Sequence, residues 1–170
     1  MSRTHVIALL TVGALALPAV AEAQRLVYVV RHAERADGGA SGSQMTGAKP
    51  DPPLSEAGKI RADKLASMLS ASGIRAIYAT EFIRTQQTAA PVATVLKLKP
   101  TVLPSASSLD LVARMKLDHA TDIVLVVGHS NTIPEIIKAL GGPPVTVADN
   151  EYDKLFIVVP ATGAMTVIRY

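Results

Sequence analysis

The sequence predicts an α/β protein: a three-layer α/β/α sandwich with a mostly parallel central sheet and an antiparallel hairpin at one edge. Near-continuous Val, Ile and Leu runs at 26–30 and 122–127 are typical of parallel strands buried on both faces. Strand patterns alternate with helical patterns through most of the chain. Two further strand patterns at 154–159 and 164–169 are separated by Pro160 to Gly163, which predicts the hairpin.

The first half of this pattern predicts two helices around one strand. Ser55 is a good N-cap for a helix that ends near Ser72-Gly73, and a short buried strand follows at 74–79. A second helix is expected from Thr80 to about Val95. Pro91 is expected to end or kink it, because proline lacks the N–H that an interior helical position needs.

The second half predicts a short strand at 101–103, a helix at 109–117, the strand at 122–127 and a helix through Leu140. The polar, glycine-rich stretch 36–53 is too long for an ordinary connection. It leaves directly from the end of the first strand, so we expect a mobile flap over a site there. An insert without a role is the alternative.

The amino terminus resembles a secretory signal peptide. Arg3 and His5 precede an apolar stretch from Val6 to Val20, and small residues flank Glu22 in Ala21-Glu22-Ala23. We expect cleavage near Ala23, which leaves a signal peptide at 1–23, one domain at 24–170 and an exported protein, periplasmic or secreted. No stable membrane insertion is then expected after cleavage. A retained anchor is the alternative.

Composition narrows the classes of function. The chain has no cysteine, so disulfides, thiolate metal sites and a cysteine nucleophile are excluded. The net charge is +3, aromatic residues make up 4 %, and there is no Lys/Arg cluster. Nucleic acid is therefore not expected as a partner, whereas a small anionic substrate is compatible with this balance. The sequence makes no prediction of oligomeric state.

Two predicted strands end in histidine: Val30-Arg31-His32 and Val127-Gly128-His129. Open α/β sheets place their chemistry at the carboxyl ends of their strands, so both histidines should reach one edge. We interpret His32 as the nucleophile and Arg31 as its anion-binding neighbour. A purely structural histidine is the alternative at each position, and His119 is expected to be solvated in a turn.

A third strand end leads into Thr80-Glu81-Phe82-Ile83-Arg84. A helix N-terminus already attracts anions, and Arg84 in its first turn would add a planar fork of donors that suits phosphate. A surface salt bridge between Arg84 and Glu81, three residues earlier, is the alternative.

These segments resemble the histidine phosphatase superfamily, the phosphoglycerate mutase-like fold. Arg31-His32-Ala33-Glu34 is similar to its Arg-His-Gly signature, with alanine in place of glycine. The resemblance continues through 54–58, 80–89 and 127–131. It implies that His32 takes the phosphoryl group of a small phosphorylated substrate, that Arg31 and Arg84 hold its oxygens, and that His129 completes the pocket, with no cofactor or metal.

At the positions where the superfamily carries its general acid, this chain has other residues. The mutases carry a glutamate after the third strand, where this chain reads Leu103-Pro104-Ser105-Ala106-Ser107-Ser108-Leu109-Asp110. The acid phosphatase branch has an aspartate where Ser130 stands. Glu81 is our candidate acid, with helix capping or pairing to Arg84 as the alternative. Ser130 and Asn131 are expected to cap a helix, and either could also bind substrate.

The expected function is a phosphomonoesterase that works through a phosphohistidine. Three alternatives stay open at this point. A phosphoglycerate-type mutase lacks its glutamate here, and a non-catalytic phosphate- or sugar-phosphate-binding module on the same fold would keep the same residues. A metallohydrolase would need a third ligand, and the arginines would repel its cation.

Overall fold

The computed structural model describes residues 26–38 and 51–170. The predicted signal segment and the central part of the predicted flap lie outside these residues. The described part contains six strands and four α-helices, with a short 3₁₀-helix at Ser105–Ser107. Their bounds are β1 Leu26–Arg31, α1 Glu56–Leu69, β2 Ile74–Thr80, α2 Ile83–Leu96, β3 Thr101–Leu103, α3 Ser108–Asp118, β4 Ile123–Gly128, α4 Thr132–Ala139, β5 Lys154–Val159 and β6 Ala164–Arg169.

All six strands form one mixed sheet in the order β3-β2-β4-β1-β5-β6. The neighbours β3, β2, β4 and β1 pair in parallel, whereas β5 pairs antiparallel with β1 and β6 antiparallel with β5. The predicted parallel sheet with an edge hairpin is therefore confirmed. Its central pair, β1 and β4, carries the two histidine-terminated strand ends side by side.

Alternating side chains of the central strands supply two separate cores, as the two-residue period of a strand requires. Val27 and Val29 of β1 pack in the core that α3 and α4 cover. Val30 packs in the opposite core, under α1 and α2. Because both faces are covered, the strands consist of continuous apolar residues, and the three-layer α/β/α arrangement follows.

Helix α2 differs from the sequence-based expectation at its start, whereas its end lies close to the expected Val95. It begins at Ile83, because Thr80 still belongs to β2 and the backbone of Phe82 remains extended. Pro91 lies inside the helix, which continues to Leu96, so the alternative in which the proline ends the helix is wrong. Val92 and Ala93, directly after the proline, are buried in the core under α1 and α2. Their packing offsets the backbone hydrogen bond that proline removes.

His119 also differs from the expectation of a solvated turn residue. Its Nδ1 lies 2.9 Å from a carboxylate oxygen of Asp122, and its ring packs edge-on against Tyr78. The pair ties the end of α3 to the start of β4. Within the described residues, no helix combines the length and the apolar character needed to cross a membrane.

Candidate active site

The two histidines predicted to meet at one sheet edge do so. Arg31, the last residue of β1, pairs in register with Gly128, the last residue of β4. His32 and His129 follow these two residues, and their ring centroids lie 5.3 Å apart in an edge-to-face arrangement. Both side chains belong to buried residues. The parallel pairing therefore places two imidazoles together at the carboxyl end of the sheet.

One hydrogen bond defines the protonation of the His32 ring. Nδ1 lies 2.8 Å from the backbone carbonyl oxygen of Ala33. A carbonyl oxygen only accepts, so Nδ1 carries the proton and Nε2 of the neutral ring keeps its lone pair. Burial, together with the neighbouring His129, Arg31 and Arg84, lowers the pKa of His32 to about 3. His32 is therefore a neutral imidazole at ordinary pH.

The backbone after His32 is held from several sides. The N–H of Ala33 donates to Thr88 Oγ1 at 2.9 Å, and the N–H of Ser55 donates to the carbonyl of Glu34 at 2.9 Å. Ser55 also caps α1 as predicted, since its hydroxyl accepts from the N–H of Gly58. A β-carbon on Gly58 would collide with the carbonyl oxygen of Glu34. Glycine at this position therefore lets α1 press against the loop that carries His32.

Glu34 points its carboxylate away from the histidines and toward α1. Arg61 donates to both oxygens of this carboxylate, with distances of 2.6–2.9 Å, and also donates to the backbone oxygen of Tyr170. These bonds hold the pKa of Glu34 below its usual value even though burial opposes the shift. Glu34 thus fixes the loop beneath His32 to both α1 and the end of the described chain.

Arg31 and Arg84 line the same cavity as the two imidazoles. Arg31 donates to the carbonyl of Ala148 at 2.9 Å, and its guanidinium stacks on the ring of Tyr152 at 4.2 Å. The guanidinium of Arg84 stacks on Phe82, also at 4.2 Å. The Nε atoms of both arginines are buried and have no hydrogen-bond partner among the described residues. Such donors suit an incoming oxyanion.

His129 is oriented by a threonine of β2. Its Nε2 lies 2.8 Å from Thr80 Oγ1, and Arg84 approaches its Nδ1 at 3.5 Å. Because a guanidinium only donates, Nδ1 is the acceptor and Nε2 carries the proton toward Thr80. Burial and the nearby Arg84 lower the pKa of His129 to about 4. Both imidazoles are therefore neutral although charged guanidinium groups are close to them.

A cavity of about 270 Å³ joins these groups. Its lining residues combine the two histidines and two arginines predicted as site residues with Phe82 and five polar residues of the connecting segments: Arg31, His32, Arg35, Phe82, Arg84, Ser105, His129, Ser130, Asn131 and Asp149. A larger groove of about 990 Å³ between α1 and α2 contains neither histidine. The small arginine-lined cavity is the candidate active site.

Sequence reasoning missed several lining residues. Arg35 could have been found, because it continues the segment Arg31 to Glu34 that leaves the strand end. Asp149 could not, because it lies in a loop between α4 and β5 that has no periodic pattern. Asp51, at the border of the described loop, contacts the site through Arg84 at 3.4 Å and through the N–H of Ile83.

The remaining candidate residues lie at the edge of the cavity. Glu81 does not pair with Arg84; its carboxylate accepts from the N–H and the hydroxyl of Ser105 at 2.6 and 3.0 Å. The expected capping by Ser130 and Asn131 is wrong, because neither side chain caps α4. The Ser130 hydroxyl donates to Asp149, and Thr132 Oγ1 accepts from the N–H of His129. This leaves Ser130 and Asn131 on the cavity wall.

The family model of the Histidine phosphatase superfamily (branch 1) matches residues 27–111, half of the chain. The chain belongs to the histidine phosphatase superfamily. The match begins in β1 and ends in α3, so it includes His32, Arg31 and Arg84, whereas His129 lies beyond it. Phosphatase chemistry is therefore the general activity of the group to which this chain belongs.

Solved structures show the same phosphoglycerate mutase-like fold at low sequence identity. A candidate alpha-ribazole-5'-P phosphatase from Escherichia coli K-12 is 15 % identical with a TM-score of 0.68, covering 86 % of this chain and 97 % of that one. The protein histidine phosphatase SixA complexed with tungstate is 19 % identical with a TM-score of 0.58, covering 84 % and 94 %. Mycobacterial glucosyl-3-phosphoglycerate phosphatase Rv2419c with VO3 is 17 % identical with a TM-score of 0.63, covering 86 % and 98 %.

One curated protein is more similar in sequence over a shorter range. The PE-PGRS family protein PE_PGRS11 of Mycobacterium tuberculosis (strain ATCC 25618 / H37Rv) is 43 % identical over 63 residues. The alignment covers 36 % of this histidine phosphatase superfamily member and 11 % of the length of that protein.

Proposed function

We propose that this chain is a phosphomonoesterase that hydrolyses a small phosphate ester through a covalent phosphohistidine on His32. The observation that carries the proposal is the hydrogen bond from His32 Nδ1 to the Ala33 carbonyl, because it leaves Nε2 unprotonated inside a cavity lined by arginines. A neutral imidazole with one nitrogen fixed is a competent nucleophile toward phosphorus.

In the first step, His32 Nε2 forms a bond to phosphorus while the bond from phosphorus to the ester oxygen breaks. Arg31 and Arg84 would offset the charge on the phosphoryl oxygens, which is the main requirement of phosphoryl transfer. His129 would contact the same group, because its ring lies beside that of His32. In the second step, the oxygen of a water molecule forms a bond to phosphorus while the bond from phosphorus to Nε2 breaks. Inorganic phosphate leaves, the proton that the water loses passes to solvent, and Nε2 regains its lone pair.

This proposal includes no efficient general acid that would protonate the leaving alcohol. Glu81 remains our candidate acid, yet both of its carboxylate oxygens accept hydrogen bonds from Ser105. A weak acid favours esters whose leaving groups need little protonation, including aryl phosphates and phosphohistidine. The kcat/KM of aryl phosphates should therefore exceed that of alkyl phosphates, because kcat/KM reports on the step in which the leaving group departs. Equal kcat/KM values would show that an efficient acid is present.

The test of the proposed function is turnover of para-nitrophenyl phosphate in the presence of a chelator. The wild type should release phosphate, and His32→Asn should lose at least about a thousandfold in kcat, because removal of a nucleophile leaves only binding and electrostatic effects. Inactivity of the wild type toward a range of phosphoesters, with phosphate binding retained, would support a binding module instead. Activity abolished by chelator would indicate a metallohydrolase.

We also propose that the chain is exported and that its mature form begins near Gln24. The support is the apolar amino-terminal stretch with its small-residue cleavage pattern. Expression of the full chain in a bacterium with an intact secretion system should yield protein in the periplasm or medium whose first residue, by mass spectrometry, is Gln24. An uncleaved chain in the membrane fraction would contradict this.

A further inference from the structure

The cavity carries guanidinium groups in its interior and carboxylates at its mouth. The Arg31 side chain is 7 % exposed, whereas the Asp149 side chain, which lines the same cavity, is 92 % exposed. An oxygen of Asp149 lies 3.8 Å from a terminal nitrogen of Arg31. The same oxygen accepts a hydrogen bond of 3.1 Å from the Ser130 hydroxyl. Asp149 is thus held at the opening by two residues of the cavity wall.

Three more carboxylates contact residues of this wall. Asp37 pairs with Arg35, and Asp51 pairs with Arg84. The carboxylate of Glu81 accepts from Ser105. Together with Asp149, these groups add negative charge beside the residues of the wall, although the buried arginines attract an anion to the interior.

The in-line geometry of phosphoryl transfer determines which part of a substrate lies closest to these carboxylates. Attack by His32 places the leaving group on the opposite side of phosphorus from Nε2. His32 is only 3 % exposed, so it lies deep in the cavity, and the leaving group extends toward the opening. The leaving group, not the phosphoryl group, therefore lies nearest to Asp149.

We propose that Asp149 is a specificity-determining residue that favours phosphomonoesters with cationic or neutral leaving groups over those with anionic leaving groups. The inference rests on the proposed function, because it assigns a substrate class to the same cavity. The Asp149 carboxylate attracts a cationic leaving group across the solvent. It repels a leaving group that carries a second phosphate or a carboxylate. Because Asp149 is exposed, the effect on discrimination is about fivefold.

The test compares three phenyl phosphates whose para methylene group carries trimethylammonium, tert-butyl or carboxylate. For the wild type, the ratio of kcat/KM for the cationic to the anionic ester should fall with added salt, because salt screens the charge of Asp149. Asp149→Asn should reduce this ratio about fivefold, and Asp149→Lys should reduce it further. Each ester is compared between wild type and variant, so differences in its intrinsic reactivity cancel.

Asp118→Asn is the matched control, because Asp118 pairs with Arg114 on the surface of α3 and should keep the wild-type ratio. Equal ratios in the wild type and both Asp149 variants would overturn the inference, as would losses that follow leaving-group basicity instead of charge. In either case turnover of para-nitrophenyl phosphate would still support the proposed function. If no ester is hydrolysed, the proposed function fails and this inference fails with it.

Discussion

Single residues determine the charge state of the cavity. The carbonyl of Ala33 fixes the proton on His32 Nδ1. Arg84 donates to His129 Nδ1, which leaves the proton of His129 on Nε2, facing Thr80. Arg31 and Arg84 are each stacked on an aromatic ring and each keep a buried Nε without a partner among the described residues. The result is a pair of neutral imidazoles that share one cavity with two fixed cations, which suits a phosphoryl dianion.

Replacement of either arginine by lysine should be costly, although the charge is kept. Arg31→Lys and Arg84→Lys should each lower kcat/KM for para-nitrophenyl phosphate by about a hundredfold, because an ammonium group cannot reproduce a planar fork of donors. Arg114→Lys, at an exposed surface pair, is the matched control and should keep wild-type kinetics. Wild-type kcat/KM in both active-site variants would show that the guanidinium geometry is not used.

At the scale of elements, α1 acts as a support for the nucleophile loop. Ser55 at its start, Gly58 in its first turn and Arg61 one turn later all contact Glu34. The loop that carries His32 is thus held by a helix that itself lies outside the cavity. The same arrangement explains why a serine and a glycine follow Leu54 at this spacing.

Gly58→Ala should separate this helix from the loop. The added β-carbon meets the Glu34 carbonyl, so the free energy of unfolding should fall by about 1–3 kcal/mol, as measured by urea denaturation. A shift of the His32 loop should also lower kcat about tenfold. Ser67→Ala, on an exposed part of the same helix, should change neither quantity. Unchanged stability and kcat in Gly58→Ala would contradict the supporting role of α1.

At the scale of the whole molecule, two buried imidazoles should couple stability to pH. The pKa values of His32 and His129 are about 3 and about 4 in the folded state, mainly because of burial. An unfolded histidine titrates near pH 6.5, so the unfolded chain binds more protons below that pH. The free energy of unfolding is therefore highest, as far as these two groups determine it, above about pH 6.5. It decreases as the pH falls toward the folded pKa values.

The free energy of unfolding should therefore decrease between pH 6.5 and 5, by up to about 1.4 kcal/mol per pH unit for each histidine. The double variant His32→Asn/His129→Asn should have a flatter profile over this interval. Urea titrations at several pH values measure both profiles. Parallel profiles for the wild type and the double variant would show that the two imidazoles are not buried in their neutral form.

Much of this arrangement could be predicted from sequence because it depends on regular elements. Apolar strands that end at Arg31-His32 and Gly128-His129 must bring these residues together once the strands pair in parallel. Arg84 could be predicted in the same way, because it lies just after the end of β2. Thr80, which orients His129, belongs to the segment that predicted Arg84, but its hydroxyl contact depends on the register of β2 against β4.

Other features depend on contacts that no local pattern encodes. Asp149 and Ser105 reach the cavity from irregular loops, so their spacing in the chain carries no periodic signal. Pro91 remains helical because the residues after it are buried, and this packing overrides a reliable local signal. Ser130 and Asn131 are residue types that commonly cap helices, yet neither side chain caps α4. The Thr132 hydroxyl instead accepts a hydrogen bond from the N–H of His129.

The central claim is that His32 Nε2 becomes phosphorylated during turnover, and trapping of this intermediate tests it most directly. The protein is mixed with para-nitrophenyl phosphate, quenched in base, digested and analysed by mass spectrometry. We predict one added phosphoryl group on the His32 peptide, linked through Nε2, and none in His32→Asn. Turnover without this adduct, or an adduct on another residue or on Nδ1 of His32, would contradict the account.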